Sequence, residues 1–356
     1  MTAYEALKNH LKDNTYSWLI TGVAGFIGSN LLHTLLSQNQ RVVGLDNFST
    51  GFAHNLERVR DRVSPSQWQE FKFMEGDICN LEDCMVACSG VDFVLHQAAL
   101  GSVPRSIENP MATHKSNVDG FLNMLVAARD HKVSRFVYAS SSSVYGDSPS
   151  LPKVEEVTGN LLSPYALTKF MDEQYAHVFS RCYGIACIGL RYFNVFGPHQ
   201  DPHGAYAAVI PRWVDAMMED KPCYINGDGF NSRDFCYVEN AIQVNLLAAL
   251  SDKEESLNEV YNVAVGDQTN LLQLYAAIKN LLRDDFPHLQ THQPIHKEFR
   301  PGDVEHSLAD IGKSKKLLGY EPTHRIHEGL KEAIDWYISQ YNHRQSASNA
   351  KVRVNS

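Results

Sequence analysis

The chain has 356 residues, 44% hydrophobic and 21% charged, enough for a sizeable core and, at roughly 150 residues per domain, for two domains. This composition excludes collagen-like and low-complexity classes. A formal charge of −9 without a long basic run excludes a general nucleic-acid or anionic-membrane binder, and no apolar stretch approaches the roughly 18 residues of a membrane span.

The N-terminal MTAYEALKNHLKD is polar and amphipathic and lacks the apolar stretch of a secretory signal, so a cytoplasmic protein is expected. Apolar runs and helical patterns then alternate. Residues 18–22, 41–46, 71–76, 91–96, 135–140 and 185–191 read as strands. Residues 26–36, 81–88 (with Asn80 as N-cap), 111–131 and 165–183 read as helices. Near-continuous apolar strands separated by helices predict an α/β fold. Its core is a Rossmann-type doubly wound parallel sheet, with ligands at the carboxyl ends of the strands.

After Asn194 the texture changes. Turn signals and short strands mix with helices predicted at 209–218, 239–250, 271–282, 312–318 and 328–341, with 300–309 extended. The expected division is a nucleotide-binding domain over 1–193, with 235–265 returning to it. A smaller mixed α/β substrate domain takes 194–234 and 266–343. The polar stretch 344–356 reads as a disordered tail.

Seven cysteines, an odd number without a C-x-x-C pair, read as reduced thiols; Cys84/Cys88 and Cys182/Cys187 lack flanking ligands, so no metal is expected. His199 and His203 fall in a polar loop and read as surface residues.

Gly22-Val23-Ala24-Gly25-Phe26-Ile27-Gly28 joins the first strand to the first helix with G-x-x-G-x-x-G spacing. Glycines there permit a tight turn and close approach to a pyrophosphate, while the helix N-terminus supplies N–H donors. Asp46 ends the second strand 21 residues after Gly25. A carboxylate there accepts from ribose hydroxyls and repels a 2′-phosphate. Asn47 and Phe48 follow it, with no arginine, which favours NAD over NADP. Asp77, with Ile78, fits either a helix cap or a contact to adenine. Further on, Ser140–Ser143 follows a strand, and Tyr165 and Lys169 stand i, i+4 on one helix face. Tyrosine is a poor base at pH 7. A lysine cation one turn away favours the phenolate, and a serine hydroxyl can relay the proton.

In this order the segments TGVAGFIGSN, LDNFSTG, GDI, HQAA, SSSSVYGD, SPYALTK, LRYFNVFGP, GDGFNSRDFCYV and RPGDVEHSLAD resemble the extended short-chain dehydrogenase/reductases over residues 18 to about 320. Within them the chain is similar to nucleotide-sugar 4-epimerases. It most resembles the UDP-GlcNAc/UDP-GalNAc 4-epimerases of bacterial surface-polysaccharide synthesis.

The resemblance implies Tyr165 as base, Lys169 as its partner and Ser141 at the catalytic serine position. It places Gln97, Ala98, Ala99, Asn117 and Phe193 along NAD. Ser142 and Ser143 lie beside the sugar, and Asn194 on the diphosphate side. Ala208, Val209, Tyr224 and Asn226 border the nucleotide, Arg233 and Arg300 clamp the diphosphate, and Asp303 holds the uridine ribose. Arg forks suit phosphate oxygens independently of the resemblance. It further implies that Tyr165 takes the O4 proton while C4 gives hydride to NAD⁺, and that the 4-keto sugar turns over before reduction. Ser307, with Gly101 and Ser102 facing it, leaves room for an acetamido group, so the acetylated pair is the expected substrate, with a UDP-glucose/UDP-galactose or UDP-uronate 4-epimerase as the alternative. A homodimer through the helices 111–131 and 165–183 is also implied. The resemblance also implies that dehydratases and decarboxylases of this fold carry an acidic residue in the serine segment, which SSSSVYG lacks. A non-catalytic NAD sensor would not need the Tyr165/Lys169 pair.

Overall fold

A computed structural model describes residues 1–204, 207–299 and 305–354, with side chains as far as residue 345. Six strands come first: β1 (Ser17–Thr21), β2 (Arg41–Asp46), β3 (Phe71–Glu75), β4 (Phe93–His96), β5 (Arg135–Ser141) and β6 (Cys187–Tyr192). With the strand Val260–Val263 they form a seven-stranded sheet, in the order Val260–Val263, β6, β5, β4, β1, β2, β3. Every pairing is parallel. Both faces are covered. Along β1, Trp18 and Ile20 enter one apolar cluster while Leu19 enters the other, as alternate side chains of a strand must. From β1 the chain winds outward to β2 and β3, then returns to place β4 on the other side of β1. That reversal opens a crevice between the carboxyl ends of β1 and β4.

Several local details go beyond the sequence reading. The N-terminal helix α1 (Ala3–Asp13) is closed by a Thr2/Glu5 capping box and buries Tyr4, Leu7 and Leu11. Short helices Ala53–Arg60, Pro65–Gln69 and Val103–Glu108 lie in stretches to which the sequence reading assigned no element. The helix expected over 111–131 is interrupted by a π-helical turn at Lys115–Asp119, which carries Asn117. His199 corrects the surface reading. It is buried, and its Nδ1 meets Ser29 Oγ at 2.8 Å, docking the loop after Phe196 onto the helix Phe26–Ser37. The stretch from 344, read as a disordered tail, instead continues the closing helix Ile326–Val354. That helix buries Leu330, Ala333, Ile334 and Tyr337, and Arg344 Nη2 bonds Asp215 at 2.7 Å.

Among the described residues the cysteines are free, with Cys84, Cys88, Cys187, Cys223 and Cys236 buried, and no cluster of potential metal ligands exists. No helix among them is long and apolar enough to cross a membrane.

Candidate active site

The crevice is a cavity of about 510 Å³. One end is built by the glycine loop. Gly22 follows β1 with φ +68°, in the left-handed region, and its α-carbon faces Ala98, whose backbone a side chain at 22 would meet at 2.9 Å. At Gly28 a Cβ would stand 2.1 Å from the Gly22 carbonyl oxygen. Only glycine lets the first helical turn lie this close to the strand end. Gly25 then caps the helix Phe26–Ser37 without any side-chain acceptor, so its first-turn N–H groups face the cavity wall formed by Gly25, Phe26, Ile27 and Gly28.

Asp46, at the end of β2, stands beside this turn. Its Oδ2 accepts from Ala24 N at 2.9 Å and its Oδ1 from Phe48 N at 2.8 Å. Burial raises its pKa, against these N–H bonds, which lower it. Asn47 lines the cavity and donates to Asp77 Oδ2 at 3.1 Å. Asp77 and Ile78 line it too, and Asn80, not Asp77, caps the following helix. Phe48 packs on Phe73, away from the cavity, and contributes backbone only.

At the other end stand Ser141, Tyr165 and Lys169, all in the cavity wall. The helix Pro164–Tyr183 that carries two of them is firmly bounded. Ser163 Oγ accepts from Ala166 N, Pro164 occupies the first turn, and Gly184 closes the helix at φ +72°. Lys169 is buried, and its Nζ donates to Ala139 O at 3.0 Å and to Asp172 Oδ2 at 3.1 Å. Beneath the serine segment lies a buried polar network. Ser140 Oγ donates to Glu173 Oε1 at 2.6 Å, and Glu173 is paired with Arg191 at 2.8 Å. The Arg191 guanidinium lies 4.8 Å from the Tyr145 ring centre. Ser140 and Ser141 both line the cavity, but the Ser140 hydroxyl is tied to Glu173 while Ser141 Oγ accepts from Ser143 N at 3.1 Å. Ser142 and Ser143 belong to the 3-10 turn Ser142–Tyr145 and do not line the cavity.

The loop after β4 forms the middle of the wall through Gln97, Ala98, Ala99 and Gly101. Tyr192 OH donates to Gln97 Oε1 at 3.0 Å and accepts from Asn245 Nδ2 at 2.7 Å, while Gln97 Nε2 donates to Asn245 Oδ1. Asn117 acts from behind. It is buried outside the cavity lining, its Oδ1 accepts from Leu100 N at 2.7 Å, and its Nδ2 donates to Leu100 O and Thr168 Oγ1. It thus ties the loop to the Tyr165 helix. Phe193 is wholly buried against Tyr145. Ser102 caps the helix Val103–Glu108 at φ +106° rather than lining the cavity.

The remaining expected substrate residues are dispersed. Asn194 lines the main cavity and donates to Asp234 O at 3.2 Å. Ala208 and Val209 begin the helix Val209–Met218, and Tyr224 carries the Lys297 ammonium over its ring at 3.6 Å. Asn226 lines a second, open cleft with Asp228, Lys297 and Phe299. Arg233 and Ser307 are brought together. Ser307 N donates to Ser232 O at 3.0 Å, and Arg233 Nη1 donates to Ser232 O and Glu305 O. Arg300 and Asp303 lie outside the described residues. Arg105, Ser116, Tyr192, Gln200 and the stretch Ser49–Gly51 also line the cavity, although the sequence reading did not single them out. Gln200 stood in a loop already marked by its glycine and prolines. Arg105 had no local signal.

The family model described as "NAD dependent epimerase/dehydratase family" matches residues 18–264, more than half of the chain. The chain belongs to that family. It is 35% identical over 320 residues to a putative UDP-glucose 4-epimerase of Methanocaldococcus jannaschii, covering 89% of this chain and 97% of that protein. Among solved structures it is similar to a UDP-N-acetylglucosamine 4-epimerase from Methanobrevibacter ruminantium in complex with UDP-N-acetylmuramic acid. The TM-score is 0.83 at 34% identity, with 92% and 99% of the two chains covered. It is similar too to a UDP-glucuronic acid 4-epimerase from Bacillus cereus in complex with UDP-glucuronic acid and NAD, with TM-score 0.80, 30% identity and coverages of 91% and 100%.

NAD is the cofactor of this family, and the residues present fit it. The close approach at Gly22 and Gly28 and the uncapped helix N-terminus suit a pyrophosphate. The buried Asp46 carboxylate retains lone pairs beyond its two backbone bonds for the adenosine ribose. Lys169 lies at the opposite end of the same cavity, where the nicotinamide half would extend.

Proposed function

We propose that this chain is an NAD-dependent 4-epimerase that interconverts UDP-GlcNAc and UDP-GalNAc. The observation that carries the reading is the convergence of Tyr165, Lys169 and Ser141 on one wall of the cavity whose other end is the glycine loop and Asp46. Bound NAD supplies the reversible oxidation at C4 of the sugar. Ser141 and Tyr165 hold the O4 hydroxyl between them, and Tyr165 takes its proton as C4 is oxidised. The Lys169 ammonium, fixed by Ala139 O and Asp172, stabilises the resulting phenolate. Inversion then requires the 4-keto sugar to present its other face, so the sugar end of the site must stay loosely contacted while the nucleotide is gripped. Arg233 suits that grip, since a guanidinium fork matches phosphate oxygens.

The acetylated pair is favoured by a small residue in the cavity wall. Gly101 lines the cavity, and a Cβ there would meet nothing within 4 Å. Ser307 lies outside the lining of this cavity, beside Arg233, with its N–H bonded to Ser232 O. A uronate substrate is the second reading, favoured by Arg105, a cation in the cavity wall. The test incubates the purified protein with UDP-GlcNAc, UDP-GalNAc, UDP-glucose and UDP-glucuronate separately and follows C4 inversion by NMR. Faster turnover of the acetylated pair supports the proposal, and a preference for glucose or glucuronate replaces it. Tyr165→Phe lowers kcat at least about 10²-fold while NAD still binds.

A homodimer belongs to the same proposal. Met111, Leu167, Val178 and Tyr183 expose apolar surface on the helices Pro110–His114 and Pro164–Tyr183. Sedimentation at micromolar concentration distinguishes a dimer from a monomer.

A further inference from the structure

We propose that Asp172 is a positioning residue that fixes the Lys169 ammonium and offsets part of its charge, and so sets the pH at which Tyr165 works as a base. The inference rests on the roles given above to Tyr165 and Lys169.

Tyr165, Lys169 and Asp172 stand i, i+4, i+7 along one stripe of the helix Pro164–Tyr183. Asp172 is fully buried, and its Oδ2 lies 3.1 Å from Lys169 Nζ. Its other oxygen is buried without a hydrogen-bond partner among the described residues. An ionised carboxylate in such a place is costly unless a cation compensates it, and Lys169 is the cation in contact. The neighbouring Glu173 is different. Arg191 and the Ser140 hydroxyl satisfy it, so its charge is spent within its own network. Asp172 spends its charge on Lys169.

Two consequences follow for Tyr165. The ammonium is held from two sides, by Ala139 O and by Asp172, which leaves its third N–H for the cavity that Lys169 lines. The field that Lys169 casts on Tyr165 is reduced by the carboxylate behind it. Seven residues at a 1.5 Å rise put Asp172 roughly 10 Å from Tyr165 along the axis. At an effective dielectric near 20, a unit charge at that distance moves a titration by about one pH unit.

The surrounding titratable groups are few. Glu173 lies on the same helix, with Arg191 bound to it from β6. Tyr138 from β5 faces Asp172, and burial pushes its hydroxyl far up, out of the working range. His96 from β4 faces Lys169, and burial holds it neutral, its pKa lowered to about 3. None of these competes with Asp172 near neutral pH. Burial raises the pKa of Asp172 itself to about 7, against the opposing pull of Lys169, so its charge acts on Tyr165 above about pH 7.

The test compares Asp172→Asn with the parent enzyme. Asparagine keeps the shape and an acceptor for Lys169 Nζ but removes the charge. The acidic limb of the kcat/KM profile, which reports the free enzyme's base, should move down by about one pH unit. NAD affinity at pH 8 should change less than about threefold, since the lysine stays placed. Asp172→Leu removes the acceptor as well and should lower kcat at least about tenfold. Should the Asn variant not fold, Asp172→Ser carries the same comparison. An acidic limb that superimposes on the parent's within about 0.3 unit overturns the proposal. Tyr165→Phe is measured alongside: if that variant turns over normally, the assignment of the base fails, whereas an inactive Tyr165→Phe with an unmoved limb in Asp172→Asn defeats the role of Asp172 alone.

Discussion

Asn117 offers a strong test of how the cavity is held. Asn117→Ala deletes three hydrogen bonds: from Leu100 N at 2.7 Å, to Leu100 O at 3.2 Å and to Thr168 Oγ1 at 3.1 Å. Thr168 keeps its own bond to Tyr165 O, so its hydroxyl is not stranded as a donor. The Leu100 N–H and C=O are. Each stranded group costs about 1–3 kcal/mol, less where water enters, and Leu100 is only half-buried. The expected loss is about 2–4 kcal/mol. The loop Gln97–Gly101 should loosen with it and weaken NAD. The assay is urea unfolding paired with an NAD titration. Asn117→Asp sharpens it, because a carboxylate opposite Leu100 O repels at high pH and can donate once protonated. That variant should therefore recover stability on acidification. A parent-like unfolding free energy for Asn117→Ala, within about 0.5 kcal/mol, together with unchanged NAD affinity, would refute the reasoning.

Three further outcomes follow. Asp46→Asn should narrow the preference for NAD over NADP, since the carboxylate that a 2′-phosphate would face is gone; parallel titrations with both cofactors measure it, and an unchanged ratio removes Asp46 from cofactor choice. Ser307→Tyr should abolish turnover of the acetylated pair and spare any hexose activity; if it epimerises UDP-GalNAc at the parent rate, the acetamido pocket lies elsewhere. His199 is buried and its pKa is lowered to about 3, first by burial, so the folded state holds it neutral. A depressed folded value contributes stability that is present above the unfolded value near 6.5 and lost as pH falls below it. Between pH 7 and pH 5 this is about 2 kcal/mol, so His199→Gln should flatten that part of the stability curve, and a curve parallel to the parent's would count against the burial argument.

The sequence by itself determined the sheet, its parallel sense and the two ends of the site. Apolar strands such as Trp18–Thr21 and Phe93–His96 have no solvated face to alternate toward, so only a doubly covered sheet buries them. The glycines at 22, 25 and 28 and the carboxylate of Asp46 were legible because backbone geometry and charge act within a few residues of themselves. The Tyr165/Lys169 pair was legible because helical spacing is local. The tertiary structure alone decided which neighbours each polar side chain meets. Ser140 and Ser141 are adjacent in a run of identical residues and both line the cavity, yet the hydroxyl of one is tied to Glu173 while that of the other accepts from Ser143 N. Asn117 turned out to support the wall from behind, by joining Leu100 to Thr168, 17 and 51 residues away. His199, polar and in a loop, was drawn inward by Ser29, 170 residues distant. Arg105 reached the cavity only because its short helix packs against the Tyr165 helix. A buried polar group must find a partner, and when that partner lies far along the chain no local pattern records the pairing; the fold supplies it by bringing distant segments to the same crevice.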